Sequence, residues 1–103
     1  MEPRVYEVPV ERVREVFGRI EEYDLLSVDV ENEASVIDDM LESEEEKLRY
    51  AREKLDDGNI DSAVLVVRDG TGTLVVKMEN VITIRATVRN YERLIEEFGL
   101  KER

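Results

Sequence analysis

Apolar residues recur along this chain with two different periods, and the period decides which element each stretch forms. Val5 to Val8 read as a short edge strand, stopped by Pro9, whose fixed φ also suits the first turn of a helix. Val10, Val13, Phe17 and Ile20 then fall three and four residues apart, the spacing of a single helical stripe, which Gly18 weakens. Leu25 to Val30 switches to alternation, with Leu26, Val28 and Val30 set against Ser27 and Asp29, and predicts a strand. Asn32 is placed to cap a second helix in which Val36, Ile37, Met40 and Leu41 face inward. Ser43-Glu44-Glu45-Glu46 is a capping box and predicts a restart or kink at Ser43. Leu48, Ala51 and Leu55 continue the stripe until Gly58 ends it.

Ala63 to Arg68 and Thr73 to Met78 are β-rich runs joined by Asp69-Gly70-Thr71-Gly72, the pattern of a β-hairpin with a glycine turn. Both runs are nearly continuous in Val and Leu, which is the signature of strands covered on both faces. After Asn80 the two periods compete. Val81-Ile82-Thr83-Ile84 has strand propensity. Against this, Val81, Ile84, Val88, Tyr91, Ile95 and Phe98 hold a 3,4,3,4,3 spacing, with Asn80 as cap and Gly99 as stop. The sustained period favours a helix from about 81 to 98; the alternative is a third strand over 81–88 followed by a shorter helix.

Together these elements predict one α+β domain over residues 1–103. It has two layers: a small, mainly antiparallel sheet built on the 63–78 hairpin, packed against three helices. A chain of 103 residues, 42% of them hydrophobic, can bury a core without metal or disulfide support. Charged residues reach 40%, well above the usual quarter, and the formal net charge is −11. The abundance of Glu and Arg and the absence of Gln and Cys match the surface ion-pair pattern of heat-adapted proteins.

Composition also removes chemistry. With no Cys and no His, the chain lacks thiolates, disulfides, the commonest transition-metal ligands and the commonest general base. No catalytic set, no metal site and no cofactor are expected. No apolar run approaches the roughly 20 residues of a membrane span, and Met1-Glu2-Pro3-Arg4 opens no secretory signal, so the expectation is a cytoplasmic protein with no membrane partner. The acidic balance argues against direct nucleic-acid binding, which needs clustered cations for phosphates.

A few stretches invite a sharper reading. Asp69-Gly70-Thr71-Gly72-Thr73 resembles the phosphorylation loops of P-type ATPases and the haloacid-dehalogenase fold, but Gly70 replaces the Lys, the second Asp is missing, and a hairpin turn accounts for the same residues. Asp29 to Glu46 holds nine acidic residues and no basic one: either a docking face for a basic partner or solvated surface. Asp56 to Asp61 approaches a calcium loop without its alternating ligands. Arg85, Arg89 and Arg93, four residues apart, would share one helix face and could grip a carboxylate- or phosphate-bearing partner, or else pair locally with Glu92, Glu96 and Glu97. The stripe Val81, Ile84, Val88, Tyr91, Ile95 and Phe98 is either core or a dimer contact.

The hairpin followed by Ile84-Arg85-Ala86-Thr87-Val88-Arg89-Asn90-Tyr91-Glu92-Arg93-Leu94 resembles the small dimer-forming subunit of the archaeal KEOPS complex, whose final helix carries a Leu-Arg-Ala-x-x-Asn-Ser-Tyr-Leu-Arg type of run. The resemblance implies a two-layer α+β dimer that scaffolds the complex making threonylcarbamoyladenosine on tRNA, with Ile84, Val88 and Tyr91 in the core or the dimer contact. From the residues alone, the expected function is a non-catalytic interaction or scaffold subunit, oligomeric through a protein partner or itself. The alternatives are a small-ligand or regulatory domain of ferredoxin-like type and, by the resemblance, a KEOPS-type accessory subunit.

Overall fold

The structure, a computed structural model, describes residues 2–32, 43–79 and 81–103. It is an α+β fold with one six-stranded antiparallel sheet and three helices. In chain order the elements are β1 (Arg4–Glu7), α1 (Val13–Gly18), β2 (Leu25–Asn32), α2 (Glu44–Asp57), β3 (Ile60–Arg68), β4 (Thr71–Met78), β5 (Ile82–Val88), α3 (Tyr91–Phe98) and β6 (Lys101–Glu102). Single 3-10 turns at Val10–Arg12 and Ile20–Tyr23 flank α1. The strand order is β2-β5-β4-β3-β1-β6. It is built from the central β3-β4-β5 meander with β2 and β1 added to its two sides, and it differs from the βαββαβ arrangement of a ferredoxin-like domain.

Alternation within the strands sends one set of side chains into a single core. Val28 and Val30 of β2, Leu65 of β3, Leu74 and Val76 of β4, and Ile84, Ala86 and Val88 of β5 are all fully buried. Val13, Val16 and Phe17 of α1, Leu48, Ala51 and Leu55 of α2, and Leu94 and Phe98 of α3 close over them. Ser43 caps α2 as its sequence predicts, its hydroxyl accepting the Glu46 N–H at 3.2 Å. The expected cap at Asn32 and the inward set Val36, Ile37, Met40 and Leu41 involve residues outside the described ones.

The hairpin is tighter than its sequence suggests. Thr71 and Gly72 belong to β4, leaving Asp69 (φ +52°) and Gly70 (φ +83°) as the two turn residues. Positive φ at both positions is the type I′ geometry, whose twist matches that of the flanking strands. Asp69 thus sits exposed at the tip of an antiparallel hairpin, whereas the phosphorylation loops it resembles follow a parallel strand.

Two expectations are corrected. β1 is not an edge strand, because the two residues of β6 pair with its outer side. More consequentially, 81–98 is not one helix: β5 runs to Val88 and only Tyr91–Phe98 is helical, so the alternative reading holds. The residues Ile82, Ile84, Ala86 and Val88 also alternate with Thr83, Arg85 and Thr87, a period of two that the heptad count overlaps. Five of the seven residues in β5 are β-branched, and β4 offers them a full ladder of backbone hydrogen bonds. Of the apolar stripe, Ile84, Val88 and Phe98 are buried, Tyr91 and Ile95 pack at the core margin, and Val81 stands outside it, 54% exposed with φ +54°. The Ile84–Leu94 run that resembles the KEOPS subunit's final helix is therefore split between a strand, a link and the first turn of α3.

Candidate interaction surface

All three helices lie on one face of the sheet, and no described element packs on the other. Val5, Val64, Val66 and Val75 are half-buried on that second face and take no part in the core cluster. Pairing register places Val64 beside Val75 and Val5 beside Val66, so the four form one patch across β1, β3 and β4. Polar residues flank it on β4 and β5. The Thr73 and Thr87 hydroxyls share a hydrogen bond of 3.0 Å across the strand pair, and Arg85 Nη1 lies 2.7 Å from Glu31 Oε1. The continuous Val and Leu runs of β3 and β4 predicted cover on both faces; within the described residues only one face has it.

A single row of directly paired residues crosses this surface from edge to edge: Asp29, Arg85, Val75, Val64, Glu7 and Lys101. It is neutral, with two carboxylates and two cations, in a chain of formal net charge −11. Lys47 approaches Asp29 at 3.9 Å, and Arg103 forms an ion pair with Glu7.

The three predicted arginines are not brought together. Arg85 is on the uncovered sheet face beside Glu31. Arg89, in the β5–α3 link, meets Asp24 at 3.3 Å, and Arg93 on α3 meets Glu97 at 3.2 Å. Once the supposed helix becomes a strand plus a link, a four-residue spacing no longer means a shared face.

Arg93 instead joins a cluster that locks α3 onto the turn after α1. Glu97 accepts hydrogen bonds from Tyr23 at 2.9 Å, Arg19 at 3.3 Å and Arg93 at 3.2 Å. Arg19 also lies over the Phe98 ring at 5.4 Å, and Tyr23 meets Phe98 edge to face. The Tyr23 hydrogen bond, helped by the two guanidinium groups, holds the Glu97 carboxyl below its ordinary range, while burial and the same bond push the Tyr23 hydroxyl up. A lowered carboxylate pKa stabilises the fold above the unfolded-state value, and that contribution disappears as pH falls through the folded value. Thermal melts should therefore show wild type losing more stability than Glu97→Gln as pH drops below about 4. Parallel pH profiles would contradict this role.

Elsewhere several charges pair with one another. Along α2 an open cleft of about 540 Å³ mixes carboxylates with Arg49 and Arg52, and Arg52 reaches Glu21 at 3.4 Å. Of the acidic stretch 29–46, Asp29 and Glu44 both face Lys47, Glu44 also accepts the Val28 N–H at 2.7 Å, and residues 33–42 lie outside the described ones. Asn59, in the segment resembling a calcium loop, bonds to Glu79 at 2.7 Å. No helix among the described residues is long and apolar enough to cross a membrane.

Sequence reasoning did not single out Val5, Val64, Val66, Val75, Glu7 or Lys101. The first four could be anticipated from the unbroken apolar runs; the last two depend on β1–β6 pairing, which nothing local signals. No family model matches the chain, and neither a curated protein nor a solved structure shows a significant match to it.

Proposed function

We propose that this chain is a non-catalytic interaction or scaffold module that works through its uncovered sheet face. The observation that supports this reading is the valine patch of β1, β3 and β4, set among Thr and ion-paired side chains on a face that no described element covers. An antiparallel sheet commonly leaves one face to solvent, but such a face ordinarily alternates to polar residues. Here β3 is apolar on both faces from Ala63 to Val67. Contiguous apolar surface rimmed by polar groups is characteristic of contact sites.

Val66→Lys tests the reading. Lys can lay its stem along the sheet and keep its ammonium in water, so the fold should persist with a loss of about 1 kcal/mol or less. Affinity capture from the native extract, together with the protein's own mass in solution, should show that the variant loses the associations of the wild type. Unchanged capture and unchanged mass in a folded variant would remove the sheet face from consideration.

A further inference from the structure

We infer that the occupant of this face is a second copy of the chain, packed sheet to sheet about a two-fold axis that runs parallel to the strands between β3 and β4. The inference rests on the contact-surface reading above and adds the partner and its register.

The charge order of the row Asp29, Arg85, Val75, Val64, Glu7, Lys101 carries it. A two-fold axis along the strands reverses the order of strands between facing copies. With the axis between β3 and β4, Val75 meets Val64 of the other copy, Arg85 meets Glu7, and Asp29 meets Lys101. Every charged member of the row then faces its opposite, and the apolar pair lies at the centre. By two-fold symmetry each contact occurs twice. The alternative axis in the same plane, perpendicular to the strands and laid over this row, sets each strand against itself and brings Arg85 to Arg85 and Glu7 to Glu7, which like-charge repulsion disfavours.

Charge also selects this face over the others. A chain of formal net charge −11 repels its own copies as a whole, whereas this row is neutral and self-complementary. Packed sheets lie about 10 Å apart and cross at about 30°, so their corners splay. Arg85, Glu7 and Lys101 have the reach to meet there, and the shorter valines sit near the axis. The four long strands β2 to β5, about 27 Å each, and the shorter β1, at about 4.8 Å spacing, give a footprint of roughly 600 Å² per copy, about 1,200 Å² in all. That is the lower bound for a specific interface, so the dimer should dissociate on dilution.

The test uses two charge reversals and their mixture, followed by light scattering and sedimentation up to about 0.2 mM, where an interface of this size is populated. Arg85→Glu places Glu against Glu7 twice per dimer, and Glu7→Arg places Arg against Arg85 twice, so each variant alone should dimerise roughly tenfold more weakly or worse. Mixed together, both contacts become Glu–Arg, and the mixture should recover the dimer. A folding defect in either variant cannot produce that recovery. A wild type that stays monomeric throughout overturns the second-copy proposal, and the Val66→Lys capture experiment then decides separately whether the face binds something else. Wild-type dimers unaffected by either reversal overturn this interface, and variants that weaken but do not recover on mixing overturn this register.

Discussion

Ala86→Lys is expected to abolish the folded state, whereas Arg85→Lys one position away should shift stability by no more than about 0.5 kcal/mol. Ala86 is fully buried on β5, facing the helices, with Leu74 of β4 on one side and Val28 of β2 on the other. A Lys there must bury an unpaired ammonium or push β5 out of the sheet. Either outcome costs more than about 4 kcal/mol, a large share of the 5–15 kcal/mol that holds a domain of this kind together. The helical reading of 81–98 forecasts the opposite. In that helix Ala86 lies off the apolar stripe, and a Lys would be welcome on the solvent side. Circular dichroism and denaturant unfolding of the two variants separate the readings. A folded Ala86→Lys protein with near wild-type stability would restore the helix.

The second large effect is at Gly72. A Cβ built there would lie 2.5 Å from Cβ of Tyr91 and 3.3 Å from a Leu65 methyl. The closer atom is fixed to the backbone of α3, so no rotamer of Tyr91 relieves the clash. Gly72→Ala must lift the first turn of α3 away from the sheet, at a cost of about 1–3 kcal/mol. For a chain of this length that lowers Tm by about 4–8 °C per kcal/mol. The same substitution at Gly18 meets nothing within 4 Å, at the last residue of α1, and should be neutral to stabilising by up to about 1 kcal/mol. Equal melting temperatures for the Gly18 and Gly72 variants would show that α3 does not dock on β4 as described.

Much of this architecture was legible because local signals agreed with the tertiary result. The Ser43 capping box, the stripe Leu48, Ala51, Leu55, and the presence of a glycine turn after Arg68 were set locally, and packing only confirms them, although the turn itself is two residues shorter than its sequence suggests. The segment after Asn80 failed because Ile84 and Val88 satisfy both periods, and the residues that discriminate are small or polar. Ala86 at an inward position and Thr83 and Thr87 at outward ones make the pattern a strand. The arginine stripe fell with the helix, since a four-residue spacing converts into a shared face only in a helix. The candidate interaction surface was half legible. Unbroken valine runs announced a sheet with something on both faces, but the row linking Asp29 to Lys101 joins residues 72 positions apart in sequence through five strand pairings, which no local pattern encodes.

The most direct measurement concerns solvent access to the centre of the valine patch. The chain contains no cysteine, so a single thiol introduced as Val75→Cys reports only its own site, and Glu53→Cys on the exposed side of α2 serves as control. With a partner copy covering the sheet, thiol labelling at position 75 should slow steeply as protein concentration rises, while labelling at position 53 stays constant. Equal, concentration-independent rates at both positions would contradict the claim that this face is where copies of the chain meet.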